Sequence, residues 1–182
     1  GIAIFPLSES EPTGPPAYVP LLSYTYEVQI VGDYAFATTL DDGLAVFDIS
    51  DPANPGEPVD ASAPGSPRDV VVAGAYAFVA DGTTGVAIYD VSTPLSPDLP
   101  VSAPTAGSAY GIAYRDGYLF VADATDSLTI VDVSEPLAPG ASVNIGTVNT
   151  AYDIALSDSY AFIVGTMGPS VVNVSDPNAP FQ

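Results

Sequence analysis

One period governs this chain. Tyr34, Tyr76, Tyr118 and Tyr160 stand 42 residues apart, and Phe36, Phe78, Phe120 and Phe162 follow each of them by two. Asp48, Asp90 and Asp132 keep the same step, with Asn173 one residue early in the fourth copy. Ser50, Ser92, Ser134 and Ser175 come next, then Pro52, Pro94, Pro136 and Pro177. A second proline series runs Pro55, Pro97, Pro139 and Pro180. Self-similarity at a fixed period of this size marks a repeat architecture, in which each unit buries its apolar face only by stacking on its neighbours.

Each unit reads as strands. In the second, Asp69–Ala73, Tyr76–Ala80 and Val86–Ser92 are short β-branched or aromatic runs separated by turns at Gly74-Ala75 and Gly82–Gly85. A weaker fourth strand lies near Pro100–Ala103. The dipeptides Gly32-Asp33 and Asp116-Gly117 suit tight hairpins that need positive φ. No window has helical periodicity with caps. Four short antiparallel strands per unit of about 42 residues is the pattern of a β-propeller blade, so an all-β fold of four blades is expected. The last unit runs out after its third strand, and Ala17–Ser23 falls where a fourth strand belongs. The leading expectation is a four-bladed ring closed by that N-terminal strand in the last blade, which pairs otherwise open edges. An eight-bladed ring built from two chains is the alternative. Residues 17–182 form the propeller. Residues 1–16 form an arm, with apolar Ile2, Ile4, Phe5 and Leu7 ahead of a Pro-rich linker. Such an arm either lies on its own blade, is the remnant of a longer chain, or pairs with an adjacent subunit; the last is the reading carried forward.

The third strands, Leu44–Ser50 and Leu128–Ser134, each followed by proline, resemble the LVIVD repeat, as does Tyr118-Leu-Phe-Val-Ala-Asp123. The resemblance spans about residues 24–182. It implies a β-propeller of bacterial and archaeal surface or secreted proteins, and it carries no catalytic residues. Two departures stand out: Asn173 replaces the motif Asp in the fourth unit, and the loop at Thr166–Gly168 is one residue shorter.

Charge removes whole classes of function. Asp plus Glu number 22 against two bases, Arg68 and Arg115, for a net charge of −20. Binding to nucleic acid or to an anionic membrane surface needs several Lys or Arg to neutralise phosphates, so neither is expected. Cys and His are both absent, which removes thiol chemistry, disulfides, His-based triads and N or S metal sites. Gly1–Leu7 is too short to span a membrane and lacks the positive flank of an intact signal peptide, so no membrane insertion is expected. An acidic, Cys-free chain with 19 prolines fits an extracellular or cell-surface setting.

Three sets of residues are candidates for chemistry. Asp48, Asp90 and Asp132 recur in successive units and read as turn caps. Asp41 with Asp42, and Asp123 with Asp126, are weak candidates for Ca²⁺ through oxygen ligands, the only cofactor in view. Tyr26, Arg68, Tyr110 and Tyr152 enter the first strands at equivalent positions, followed by Glu27, Asp69 and Asp153, with Gly111 in the third unit. On a propeller these meet around one channel mouth, where rings, carboxylates and a guanidinium suit a sugar or a cation. Packing tyrosines among solvated acids is the plainer account. Asn173-Val174-Ser175 is a glycosylation sequon. No acid is set apart as a proton donor, so no enzyme is expected. Two functions remain: a structural subunit that self-assembles into a surface layer or filament through its arm, or a glycan- or protein-binding module that uses the mouth.

Overall fold

The computed structural model describes every residue except 6, 9, 10, 13, 22, 126 and 147–149, and only the backbone at 7, 8, 11 and 12. Among the described residues there is no helix, and so none able to cross a membrane. The chain opens with four short strands: β1 (Ile2–Ile4), β2 (Leu7–Ser8), β3 (Glu11–Pro12) and β4 (Ala17–Val19). Blade one follows as β5 (Thr25–Val31), β6 (Tyr34–Thr39), β7 (Gly43–Asp48) and β8 (Val59–Ala61). Blade two is β9 (Asp69–Ala73), β10 (Tyr76–Ala80), β11 (Val86–Asp90) and β12 (Val101–Ala103). Blade three is β13 (Gly111–Arg115), β14 (Tyr118–Ala122), β15 (Leu128–Asp132) and β16 (Ser142–Ile145). Blade four is β17 (Ala151–Ser157), β18 (Tyr160–Gly165) and β19 (Gly168–Asn173). Each blade is an antiparallel meander, with four strands in the first three and three in the last. The period of 42 therefore is the blade, as the propeller reading requires.

Local chemistry fixes the meanders. Gly32 and Gly74 take φ of 58° and 60° at the first hairpins, and Asp116 takes 50° in blade three. Gly43 and Gly85 open the third strands at φ of 94° and 86°. A Cβ on Gly43 would also fall 2.2 Å from the Ala61 carbonyl of the outer strand, so bulk is refused there as well.

Blades are held together face to face. Phe78, Ala80 and Ile88 of blade two pack on Leu119, Val121 and Val131 of blade three. Phe36, Leu44 and Val46 of blade one meet Val79 and Tyr89, and Phe120, Ala122 and Ile130 of blade three meet Ala161, Ile163 and Val172. The first strands pack in series, β5 on β9, β9 on β13 and β13 on β17. The two ends do not meet in that way. On blade one, Ile30 is 64% exposed; on blade four, Phe162, Val164 and Val171 are 44%, 48% and 45% exposed. Four blades thus follow one another in an arc, with apolar side chains left exposed on blade four and, at Ile30, on blade one.

Here the structure departs from the expected closure. Ala17–Val19 pairs with Ile2–Ile4, and among the described residues the outer edge of β19 is bonded only at Asn173, by Phe181. The register explains why. Ile2↔Val19, Ala3↔Tyr18 and Ile4↔Ala17 repeat, one period earlier, Leu44↔Ala61, Ala45↔Asp60 and Val46↔Val59. Gly1-Ile-Ala-Ile-Phe5 is itself a copy of Gly43-Leu-Ala-Val-Phe47. So β1 and β4 are the third and fourth strands of a blade position ahead of blade one. They pack there, with Val19, Ile2 and Ile4 on Ala35, Ala37, Ala45 and Phe47. The domain boundary at residue 16 divides this hairpin. The arm, expected to pair with an adjacent subunit, is seated on its own chain; the side chain of Leu7 lies outside the described residues.

Candidate functional site

The residues expected at the channel mouth do come together. Each lies just before or within the first three residues of a first strand, and the first strands lie side by side, so equivalent positions line up in blade order. The Arg68 guanidinium sits 4.6 Å from the centre of the Tyr26 ring and 5.6 Å from that of Tyr110. Tyr110 in turn meets Tyr152 edge to face, with centroids 5.7 Å apart. The result is a continuous ladder from blade one to blade four, Tyr26–Arg68–Tyr110–Tyr152. Ring faces and a cation attract through the ring quadrupole, and edge-to-face packing suits the tyrosine pair.

The acids of the mouth have unequal surroundings. Asp69 accepts from its neighbour Val70 N at 2.7 Å and, across the blade boundary, from Ile112 N at 2.8 Å. Burial pushes its carboxyl up to about 6, against those two bonds, and the nearby charges of Glu27 and Asp153 add to the rise. Asp153 accepts from Ile154 N at 2.7 Å and is otherwise exposed. Glu27 is exposed, its own N–H donating to Thr38 Oγ1 at 3.1 Å. Gly111 has no acid because there is no space for one: a Cβ would fall 2.8 Å from Asp153 Cα. Gln29 holds the first boundary by accepting from Val72 N at 2.6 Å. The mouth therefore presents partly exposed tyrosine rings, one guanidinium and a set of carboxylates. That array can stack and hydrogen-bond a polar ligand.

The repeated carboxylates do something different. Asp48, Asp90, Asp132 and Asn173 each accept, through Oδ1, the backbone N–H two residues on, at 2.7, 2.9, 2.9 and 3.0 Å. They cap the turn after each third strand, and the bonds from the serine hold Asp48, Asp90 and Asp132 below the usual carboxylate range. The sequon asparagine belongs to this set: Asn173 Oδ1 also accepts from Ser175 Oγ at 2.7 Å.

Of the Ca²⁺ candidates, Asp123 is fully buried and its oxygens are already engaged. Thr105 Oγ1, Gly107 N and Thr129 Oγ1 donate to it at 2.8, 3.1 and 2.8 Å. Asp41 accepts from Ser23 Oγ at 2.9 Å, Asp42 is its partly buried turn neighbour, and Asp126 lies outside the described residues. Among the described residues no three acids converge as a metal site.

Sequence reasoning missed one surface altogether. An apolar groove of about 680 Å³ runs between β1 and blade one, lined by Ile2, Ile4, Phe5, Val28, Ile30 and Phe47. The signal was present in the match, one period apart, between Gly1–Phe5 and Gly43–Phe47.

A model of the LVIVD repeat matches four times in succession, at residues 23–62, 64–105, 106–147 and 149–181. This chain belongs to the LVIVD-repeat family. No curated protein matches it. Among solved structures, the chain is similar to the computationally designed Ika4 protein at 10% identity, with a TM-score of 0.67 over 85% of this chain and 93% of that one. It is similar to the computationally designed Ika8 protein at 12% identity and a TM-score of 0.67, over 91% of this chain and 51% of that one. A functionally unknown protein from Desulfotomaculum acetoxidans DSM 771 matches at 14% identity and 0.67, over 89% and 56%. The LVIVD chain thus spans about half the length of the latter two. At these identities the likeness is one of fold.

Proposed function

We propose that this LVIVD propeller is a non-enzymatic, extracellular structural subunit that self-assembles into a surface layer or filament. The observation that carries the reading is the bare face of blade four. Phe162, Val164 and Val171 form a contiguous apolar patch of the kind that the other blades bury. Exposed patches rimmed by polar residues mark interaction surfaces. The sequence supports the setting: a chain without Cys, almost without bases, and rich in proline-bearing loops. The test is sedimentation of the purified chain over a range of concentration and salt. Association that strengthens with salt is expected, because screening relieves repulsion between copies that each carry −20. A chain that stays monomeric at high concentration and high salt overturns the reading.

A second reading has its own support in the Tyr26–Arg68–Tyr110–Tyr152 ladder: a module that binds a glycan or another protein at the mouth. The chain has no Trp, so its fluorescence is that of 11 tyrosines, and the part that comes from Tyr26, Tyr110 and Tyr152 is isolated by comparing the parent with Arg68→Ala. Quenching by a glycan that Arg68→Ala abolishes would establish it. An unchanged spectrum across a glycan panel would remove it.

A further inference from the structure

We propose that the cleft between blades one and two is a docking site for an arginine side chain of a basic partner protein. This goes beyond both readings above, since it needs neither the mouth nor a second copy of this chain.

The template lies inside the molecule. At the boundary between blades three and four, Arg115, the last residue of β13, reaches across to the next blade. Its guanidinium donates to the carbonyls of Asp158 and Val174, the second at 2.9 Å, and lies 5.1 Å from the centre of the Phe120 ring. Two carbonyls and an aromatic face suit a planar fork of donors, so this is a complete guanidinium seat.

Two repeats earlier the same seat has no arginine of its own. A cleft of about 380 Å³ is lined there by Val31, Tyr34, Phe36, Gly74, Val91 and Ser92. Val31, the last residue of β5, stands at the position of Arg115. Phe36 stands at that of Phe120 and Gly74 at that of Asp158, and Val91 answers Val174 once the shorter loop of blade four is allowed for. The backbone agrees: Val91 N donates to Ala75 O and Val174 N to Ser159 O, each at 2.8 Å. Among the described residues, no hydrogen bond reaches the carbonyls of Gly74 or Val91. Val31 has no donor to offer them, and it is 40% exposed, so solvent reaches the cleft beside it. The boundary between blades two and three is filled differently. There Tyr114 stacks on Phe78 with centroids 5.7 Å apart, and a ring takes the face that a cation would use.

Charge says where the arginine comes from. The chain carries −20 and has two bases. Arg115 is already bonded, and Arg68 lies over Tyr26 and Tyr110. A second copy therefore brings no arginine to spare, whereas a chain this acidic draws basic partners towards it.

The probe is the blocked peptide Gly-Gly-Arg-Gly-Gly, added while the protein's amide spectrum is followed by NMR. Two versions control it: lysine has the same charge without the fork, and citrulline has the shape without the charge. Saturable shifts at Gly74, Ala75 and Ser92 are expected with the arginine peptide, and binding at least about tenfold weaker with the other two. Val31→Arg copies Arg115 in place, so it should abolish those shifts, and its own spectrum shows whether it is folded. Arg115→Ala should open a second site and add shifts at Ser159 and Ser175. The peptide controls need no variant at all. If all three peptides bind alike, the attraction is to net charge and the inference falls. It falls equally if a large excess of the arginine peptide moves no amide around the cleft, or if folded Val31→Arg binds as the parent does. None of these results bears on self-assembly or on glycan binding at the mouth.

Discussion

Phe120 and Phe162 occupy the same position in consecutive repeats, yet one is fully buried and the other is 44% exposed. Nothing in their own sheets accounts for this, since each pairs with the residue at the same position of its third strand, Phe120 with Ile130 and Phe162 with Val171. The difference is the blade that follows. Blade four covers Phe120, and no described element covers Phe162. In this architecture burial is conferred by the neighbour, so stability belongs to the boundaries between units more than to the units.

The largest effect should therefore separate these two residues. Phe120→Ala is expected to cost about 3–5 kcal/mol in denaturant unfolding, because it removes a buried ring and leaves a cavity. For the monomer, Phe162→Ala should cost less than about 1 kcal/mol. Equal losses would mean that blade four is covered in solution even in a lone copy.

Asp69 and Asp153 allow the same comparison in charge. Asp69 lies at a covered boundary with its carboxyl raised to about 6, whereas Asp153 faces outward at the end of the arc. For an acid with a raised folded value, the native state holds a proton that the unfolded chain has released. Stability should therefore fall as pH rises from about 4 to about 6, by at most about 3 kcal/mol from this group. Thermal melts of Asp69→Asn should show a flatter pH dependence across that window. A parent-like slope for Asp69→Asn would place the titration elsewhere.

Turn caps provide the control. The side chains of Asp132 and Asn173 each bond within their own turn, so covering the blade should not matter. Replacing either with Ala should cost about 1 kcal/mol, with little difference between blades three and four. A clearly smaller loss at Asn173 would indicate that the last blade is already frayed in the parent.

Much of this was legible in the sequence. The ladder of Tyr, Phe, Asp and Pro set the blade, and equivalence of position was enough to bring Tyr26, Arg68, Tyr110 and Tyr152 to one mouth. The caps at Asp48, Asp90 and Asp132 followed from the preference of Asx side chains for nearby N–H groups. Closure was not legible, because it depends on how far each blade turns from the last, and spacing along the chain says nothing of that angle. Gly1–Phe5 read as an arm because the period is anchored on Tyr34 and its successors, which have no counterpart ahead of residue 17. A short third strand has the character of a loose apolar segment until its partner is placed beside it. Asp69 and Asp153 are equivalent in the alignment of repeats, and what buries Asp69 is blade three, whose Ile112 N–H it accepts.

The edge of β19, bonded on its outer side among the described residues only at Asn173, to Phe181, has a kinetic consequence. Amide protons exchange with solvent when their local structure opens, and units held from one side open more readily than units held from both. Exchange in this arc should be slowest in β10 and β14, which are flanked by blades on either side. It should be faster in β18 and fastest in β19, so that the molecule loosens from its C-terminal blade inward long before it unfolds as a whole.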